Sequence, residues 1–161
     1  MTRRFAVSIA LTLLLAGCGD SPTAQDSAVT SPSSPAATGP NSRYAATIES
    51  NKGHEFSGRK EWDAAIVCYT KAISLLHSEG LLSDETAVYI YRGSVYREKG
   101  DHDKAIKDYT EVISRMPDFP GGYYYRGAAY WQKNELDAAI EDFSLAIRLK
   151  PDFAAAYLNR G

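Results

Sequence analysis

Cysteine and histidine are scarce in this 161-residue chain: two of the first, Cys18 and Cys68, and three of the second, His54, His77 and His102. No histidine stands in a His-x-x-x-His or Glu-x-x-His spacing that sets two ligands on one helical face. A zinc site is therefore unsupported, and no metal or cofactor is expected. A Gly-x-Ser-x-Gly elbow and a Gly-rich phosphate loop are also missing. The acidic residues fall at positions expected on the outer faces of amphipathic helices, as in Glu141-Asp142, where no pocket shifts their pKa values. An enzyme is not expected. A basic excess is lacking too: 18 Lys and Arg face 20 Asp and Glu, which leaves no electrostatic footprint for nucleic acid. Long apolar runs are confined to Phe5–Leu15, too short to cross about 30 Å of hydrocarbon at ~1.5 Å per residue.

What the chain does have is a period. Gly93, Gly127 and Gly161 recur at one fixed interval, and the same interval separates Tyr89, Tyr123 and Tyr157 and the pairs Tyr96/Tyr130, Ala105/Ala139, Tyr109/Phe143 and Pro117/Pro151. Self-similarity with a period of about 34 residues marks stacked helical hairpins. Tyr89, Gly93 and Tyr96 follow steps of four and three and share one face of a first helix; Ala105, Tyr109 and Val112 do the same on a second. Small residues let two backbones approach while aromatics fill the space around them. Proline then ends the pair.

The order aromatic, Gly, Tyr, Ala, aromatic, Pro, met at Tyr89, Gly93, Tyr96, Ala105, Tyr109 and Pro117 and again at Tyr123, Gly127, Tyr130, Ala139, Phe143 and Pro151, resembles the tetratricopeptide repeat family. A weaker first copy reads Gly53, Phe56, Ala65, Tyr69 and Ala72, with Glu49 in place of the leading aromatic. Its glycine precedes Gly93 by more than the period, so residues have been inserted between the two copies. The insertion is expected around Ser78 to Thr86, with Gly80 stopping one helix and Ser83 capping the next. The resemblance implies an all-α, right-handed superhelix of antiparallel helix pairs over residues 42–161. Its repeats fall at about 46–79, 86–119 and 120–153, with a partial fourth at 154–161. Asp101, Asp118 and Asp152 are placed to cap helices.

Residues 1–17, with Arg3, Arg4 and an apolar run ahead of Leu15-Ala16-Gly17-Cys18, resemble a bacterial lipoprotein signal peptide. Cleavage before Cys18 would leave a lipidated residue, acylated with chains such as palmitate, and two or more chains hold firmly to a membrane. Residues 18–41 carry Pro22, Pro32, Pro35 and Pro40 among Ser, Thr and Ala and are expected to form a disordered tether. The expected location is the bacterial cell envelope, on the outer membrane facing the periplasm where there is one. Cys68 has no partner for an internal disulfide once Cys18 is acylated, and is expected to be a partly exposed thiol.

In the family, the inner wall of the superhelix comes from the first helix of each pair and holds a peptide. Here that wall would carry Thr47, Ser50, Asn51, His54 and Ser57, then Ile90, Tyr91, Ser94, Arg97 and Glu98, then Tyr124, Tyr125, Ala128, Trp131 and Gln132. Tyr91, Tyr124, Tyr125 and Trp131 exceed what packing consumes, and aromatic anchors favour binding. Some members clamp a chaperone tail's carboxylate with lysine, asparagine and arginine; the corresponding places hold Ser50, His54, Tyr91, Gly121 and Tyr125. The expected function is a non-catalytic adaptor for an unknown protein or peptide. The alternative is a structural assembly subunit that contacts partners, or a second copy, through the C-terminal edge at Phe153, Tyr157 and Leu158. Arg92 and Arg126 each precede an aspartate, Asp108 and Asp142, by the same interval. They are expected to form salt bridges within each hairpin, each contributing at most about 1 kcal/mol if exposed. The first copy has Lys52 and Cys68 there.

Overall fold

The computed structural model describes residues 40–161, which form seven α-helices with no strand among the described residues. The expected signal peptide, Cys18 and nearly all of the expected tether lie outside them. Helices α1 (Pro40–Gly58) and α2 (Trp62–Ser78) form the first hairpin, α3 (Leu82–Lys99) and α4 (His102–Arg115) the second, and α5 (Pro120–Gln132) and α6 (Leu136–Leu149) the third. The short α7 (Ala154–Arg160) packs on α6. Each helix contacts the next in order, so the described region is a solenoid of helix pairs.

Close approach within each hairpin is set by the repeated glycine. A Cβ on Gly53 would fall 2.7 Å from the Tyr69 ring, one on Gly93 2.8 Å from Tyr109, and one on Gly127 2.9 Å from Phe143. The three rings are almost wholly buried. The turn inside each hairpin repeats as well. Lys60, Gly100 and Asn134 occupy equivalent places with φ of 61°, 90° and 65°. The next residue's amide reaches back to close the helix: Glu61 N to Phe56 O at 2.9 Å, Asp101 N to Tyr96 O at 2.8 Å, and Glu135 N to Tyr130 O at 2.9 Å. This is the left-handed C-terminal turn that satisfies otherwise orphaned carbonyls.

The extra residues between the first and second repeats lengthen the helices on either side of Gly80. Aligned on the packing alanines, α4 stops at the equivalent of Leu75, whereas α2 runs on to Ser78; α5 starts at the equivalent of Thr86, whereas α3 starts at Leu82. Gly80 turns the chain between them with φ of 69°. Ser83 therefore lies inside α3 and caps nothing. The added turns bring Leu76 into the core and bury Glu85 against Arg115 at 3.2 Å.

Capping by aspartate also differs from expectation in part. Asp101 holds the cap position of α4, as expected, and its side chain takes Lys104 Nζ at 2.6 Å, a hydrogen bond that lowers its pKa. Phe119 and Phe153, one residue after Asp118 and Asp152, hold the cap positions of α5 and α7, without side-chain cap bonds.

The repeated arginines and aspartates are interior groups. Arg92 donates from Nε and Nη2 to the two carboxylate oxygens of Asp108 at 2.8 and 2.7 Å, and Arg126 does the same to Asp142 at 2.8 Å for both bonds. The aspartate side chains are only 4% and 3% exposed. Asp142 is thus not on a solvated face, and the surface-pair ceiling does not apply to either bridge. Each guanidinium also reaches back to the preceding hairpin, Arg92 Nη1 to Thr70 Oγ1 at 3.0 Å and Arg126 Nη1 to Thr110 Oγ1 at 3.3 Å. Tyr89 and Tyr96 flank Arg92, and Tyr123 and Tyr130 flank Arg126, with the guanidinium carbon 5.3–6.0 Å from the ring centroids. One arginine therefore ties three helices. The hydrogen bond to Asp142 raises the Arg126 pKa against the opposing effect of burial. Cys68 takes the aspartate's place in the first hairpin and is buried, not partly exposed, because that position is interior in every repeat; burial raises its pKa.

Candidate binding clefts on the first helices

Two clefts lie along the first helices of the hairpins. The N-terminal one, of about 270 Å³, runs between α1 and α3. Its polar rim holds Arg43, Thr47, Ser50, Asn51, His54 and Asp84, over a floor that includes Ala46, Leu76 and Val88. Arg43 Nε pairs with Asp84 at 2.6 Å. Tyr91, its one tyrosine, meets the His54 ring edge-on with centroids 4.4 Å apart and stacks on Tyr69 at 6.1 Å.

The C-terminal cleft, of about 400 Å³, is walled by Arg97, Tyr124, Ala128, Trp131, Gln132, Phe143, Leu158, Asn159 and Gly161. Trp131 is 59% exposed, at the end of α5, and Leu158 on α7 is 82% exposed. Tyr124 is held between aromatic neighbours, with ring centroids 5.9 Å from Phe143 and 5.0 Å from Phe153, and its hydroxyl accepts from Asn159 Nδ2 at 3.2 Å. Arg97 lies along the wall with Nη2 on Glu98 at 3.0 Å.

Of the residues expected on the inner wall, Thr47, Ser50, Asn51, His54 and Tyr91 are in the first cleft and Arg97, Tyr124, Ala128, Trp131 and Gln132 are in the second, while Ser57, Ile90 and Glu98 line neither. Ser94 and Tyr125 are engaged elsewhere. Ser94 Oγ hydrogen-bonds the Tyr109 hydroxyl at 3.2 Å within the second hairpin, and Tyr125 stacks on the Tyr109 ring at 5.6 Å across the junction with the third, so both serve packing. Burial pushes the Tyr109 hydroxyl up to about 12 against the Ser94 hydrogen bond, and burial takes Tyr69 to about 12 as well. Both hydroxyls therefore stay protonated near neutrality. The Tyr69 hydroxyl lies 3.0 Å from His54 Nδ1. Hydroxyl and partner recur together in the first two hairpins and vanish together in the third, where Ala128 and Phe143 stand instead.

Phe143, Leu158 and Asn159 are wall residues that the sequence reading did not assign. The period marks two of them, since Leu158 and Asn159 stand one repeat after Tyr124 and Tyr125. Among the described residues no group of three or more His, Cys, Asp or Glu side chains is arranged to hold a metal ion, and no helix is long and apolar enough to cross a membrane.

Residues 93–134 match the family model described as TPR repeat, and residues 121–153 match the one described as tetratricopeptide repeat. No curated protein matches the chain. Among solved structures, it is similar to the first TPR domain of Spaghetti (RPAP3) bound to the HSP90 peptide SRMEEVD, at 22% identity over 73% of this chain and 89% of that one, with a TM-score of 0.64. It is likewise similar to the second TPR domain of human RPAP3 in complex with the HSP70 peptide SGPTIEEVD, at 24% identity over 74% and 94%, with a TM-score of 0.65. The Arabidopsis OM64 TPR domain matches at 24% identity over 73% and 93%, with a TM-score of 0.64. At these identities the likeness is one of fold.

Proposed function

We propose that this chain, whose residues 93–134 and 121–153 match tetratricopeptide-repeat family models, is a membrane-tethered, non-catalytic adaptor of a bacterial cell envelope that takes a partner peptide or protein segment in its C-terminal cleft. The observation that carries this reading is Trp131. A large indole, 59% exposed, stands on the wall of a cleft already furnished with Tyr124, Phe143 and one arginine. Interface energy concentrates in such aromatic and arginine anchors. The tether rests on Leu15-Ala16-Gly17-Cys18 and the short apolar run before it.

Two of the similar structures hold HSP90 and HSP70 peptides that end in EEVD. This chain is not equipped for that mode of recognition. Its corresponding positions hold Ser50, His54, Tyr91, Gly121 and Tyr125, with no lysine or arginine among them. Tyr91 and His54 pack on each other, and Tyr125 is committed to Tyr109. Aromatic and hydrogen-bonding contacts recognise the partner in place of its terminal charge.

Affinity capture by the mature chain from detergent-solubilised envelopes tests the reading. A partner retained by the native protein and lost on Trp131→Ala, with the circular dichroism spectrum unchanged, is the expected result; equal retention by both contradicts it. Metabolic labelling with palmitate is expected to mark the native chain and not Cys18→Ala. The second reading, a structural subunit that assembles through the C-terminal edge, is favoured by the exposure of Tyr157 and Leu158. Dimers that depend on concentration and disappear on Tyr157→Asp would decide for it.

A further inference from the structure

The N-terminal cleft shares no lining residue with the C-terminal one, and its chemistry points to a different guest. Its two full charges, Arg43 and Asp84, cancel each other at 2.6 Å. What is left to meet a ligand is neutral. The side chains of Ser50 and Asn51 make no hydrogen bond among the described residues, and Thr47 Oγ1, which donates to Arg43 O at 2.9 Å, keeps its capacity to accept.

His54 adds a donor of fixed identity. The Tyr69 hydroxyl, kept protonated near neutrality because burial pushes its pKa up to about 12, lies 3.0 Å from His54 Nδ1. Donation from that hydroxyl to Nδ1 leaves the hydrogen of neutral His54 on Nε2, free to be given to a guest.

The helix sets the spacing of these groups. Thr47 and Asn51, and likewise Ser50 and His54, stand one turn apart on α1, about 6 Å along the axis at ~1.5 Å per residue. Two residues of a polyproline II chain advance nearly the same distance, at ~3.1 Å each, and the carbonyls of that conformation have no internal partners. They are open to donors from the wall. Across the cleft α3 presents Ala87, Val88 and Tyr91, the last 42% exposed. Proline-rich segments dock in grooves lined by aromatic rings of this kind.

We propose that the N-terminal cleft is a docking site for an uncharged, proline-rich segment of another protein, held as a polyproline II helix with its carbonyls on Ser50, Asn51 and His54 and its prolines against Tyr91. The Arg43–Asp84 bridge joins α1 to α3 at the end of the cleft nearest Pro40, so the segment enters beside His54. Without a freely exposed indole or an unpaired arginine, this site is the weaker of the two clefts. It stands or falls without the C-terminal reading.

The test uses a labelled, end-capped peptide in which proline alternates with alanine and serine. Fluorescence anisotropy with the full chain is expected to give saturable binding, at least fivefold weaker for Asn51→Ala and unchanged for Trp131→Ala. Asn51 is exposed, and an unchanged circular dichroism spectrum checks that its loss leaves the fold intact. Glycine in place of every proline is expected to weaken binding at least fivefold, since a flexible guest must be ordered as it binds. Lysine or glutamate in place of serine is expected to gain nothing, even at low salt. The proposal is overturned by the absence of saturable binding, by equal binding to the native chain and Asn51→Ala, or by tighter binding of either charged peptide. It also falls if a benzophenone amino acid at position 51 crosslinks to residues 19–39 of the same chain in the protein alone, since that segment would then be the occupant.

Discussion

The two clefts on the first helices are made of different materials. The N-terminal cleft is a polar rim over a small apolar floor, and its one tyrosine is held by His54 and Tyr69. The C-terminal cleft has a freely exposed indole, a clamped tyrosine and a leucine, with arginine and two amides at its border. The scaffolds beneath them differ in the same sense. The first hairpin and its junction with α3 share an apolar cluster that includes Tyr69, Ile73, Leu76 and Val88, and Glu49 takes the exposed Lys52 and Lys71 at 3.3 and 2.9 Å. The third hairpin has a smaller core of Ala128, Ala139 and Phe143, with a buried ion pair beside it. Where the repeat lacks its Arg–Asp pair, longer helices and more apolar area take over. The lesson is that one backbone period tolerates two ways of fastening, and the ionic one sits under the cleft that carries the exposed anchor.

The largest way to break this contrast is Asp142→Ala. It strands Arg126 in the interior, and removal of one partner of a buried pair costs about 3–5 kcal/mol; urea denaturation is expected to show a loss of that size. Next comes Trp131→Ala, expected to weaken partner binding by about 2–4 kcal/mol in titration calorimetry. Tyr91→Ala in the other cleft should cost clearly less, because that ring, although 42% exposed, already packs on His54 and Tyr69. Gly127→Ala follows, since the new methyl meets Phe143 and Asp142. Overpacking of this kind costs about 1–3 kcal/mol, readable as a lower Tm.

The smallest effect concerns Glu49, whose pKa is lowered, first by its hydrogen bond from Lys71 and then by Lys52, against burial. A carboxyl with a depressed folded-state pKa contributes stability above its unfolded value, about 4.3 for Glu, and loses that contribution as the pH falls through the folded value. Thermal melts of the native chain should therefore lose stability from about pH 4 downward, and Glu49→Gln should remove that part of the slope. The exposed lysines keep the contribution below about 1 kcal/mol.

Much of this was legible in the residues. The repeat period carries the hairpins, and glycine facing an aromatic ring carries their close approach. The shared interval from Arg92 to Asp108 and from Arg126 to Asp142 was enough to pair them. Their burial was not legible, because a charge on an amphipathic helix reads as solvated until the neighbouring hairpin is seen to cover it. The threonine corner at Thr70 and Thr110 escaped for the same reason, since it joins residues of different hairpins. At the insertion Gly80 read correctly as the turn, whereas Ser83 read as a cap and lies inside α3. Tertiary packing of Leu76 and Glu85 overrides that local preference. At the C-terminal cleft the tyrosines and Trp131 were visible as surplus aromatics. Which of them is free was decided by inter-hairpin packing, which takes Tyr125 and leaves Trp131.

Site-specific photocrosslinking in intact envelopes tests the difference between the clefts most directly. Full-length chains carrying a benzophenone amino acid at Trp131, at Asn51, or at Lys107 on the exposed face of α4 are compared. The expected result is a discrete crosslinked partner from position 131, a weaker product or none from position 51, and none from position 107. A product that forms equally from all three, or only from position 107, contradicts it.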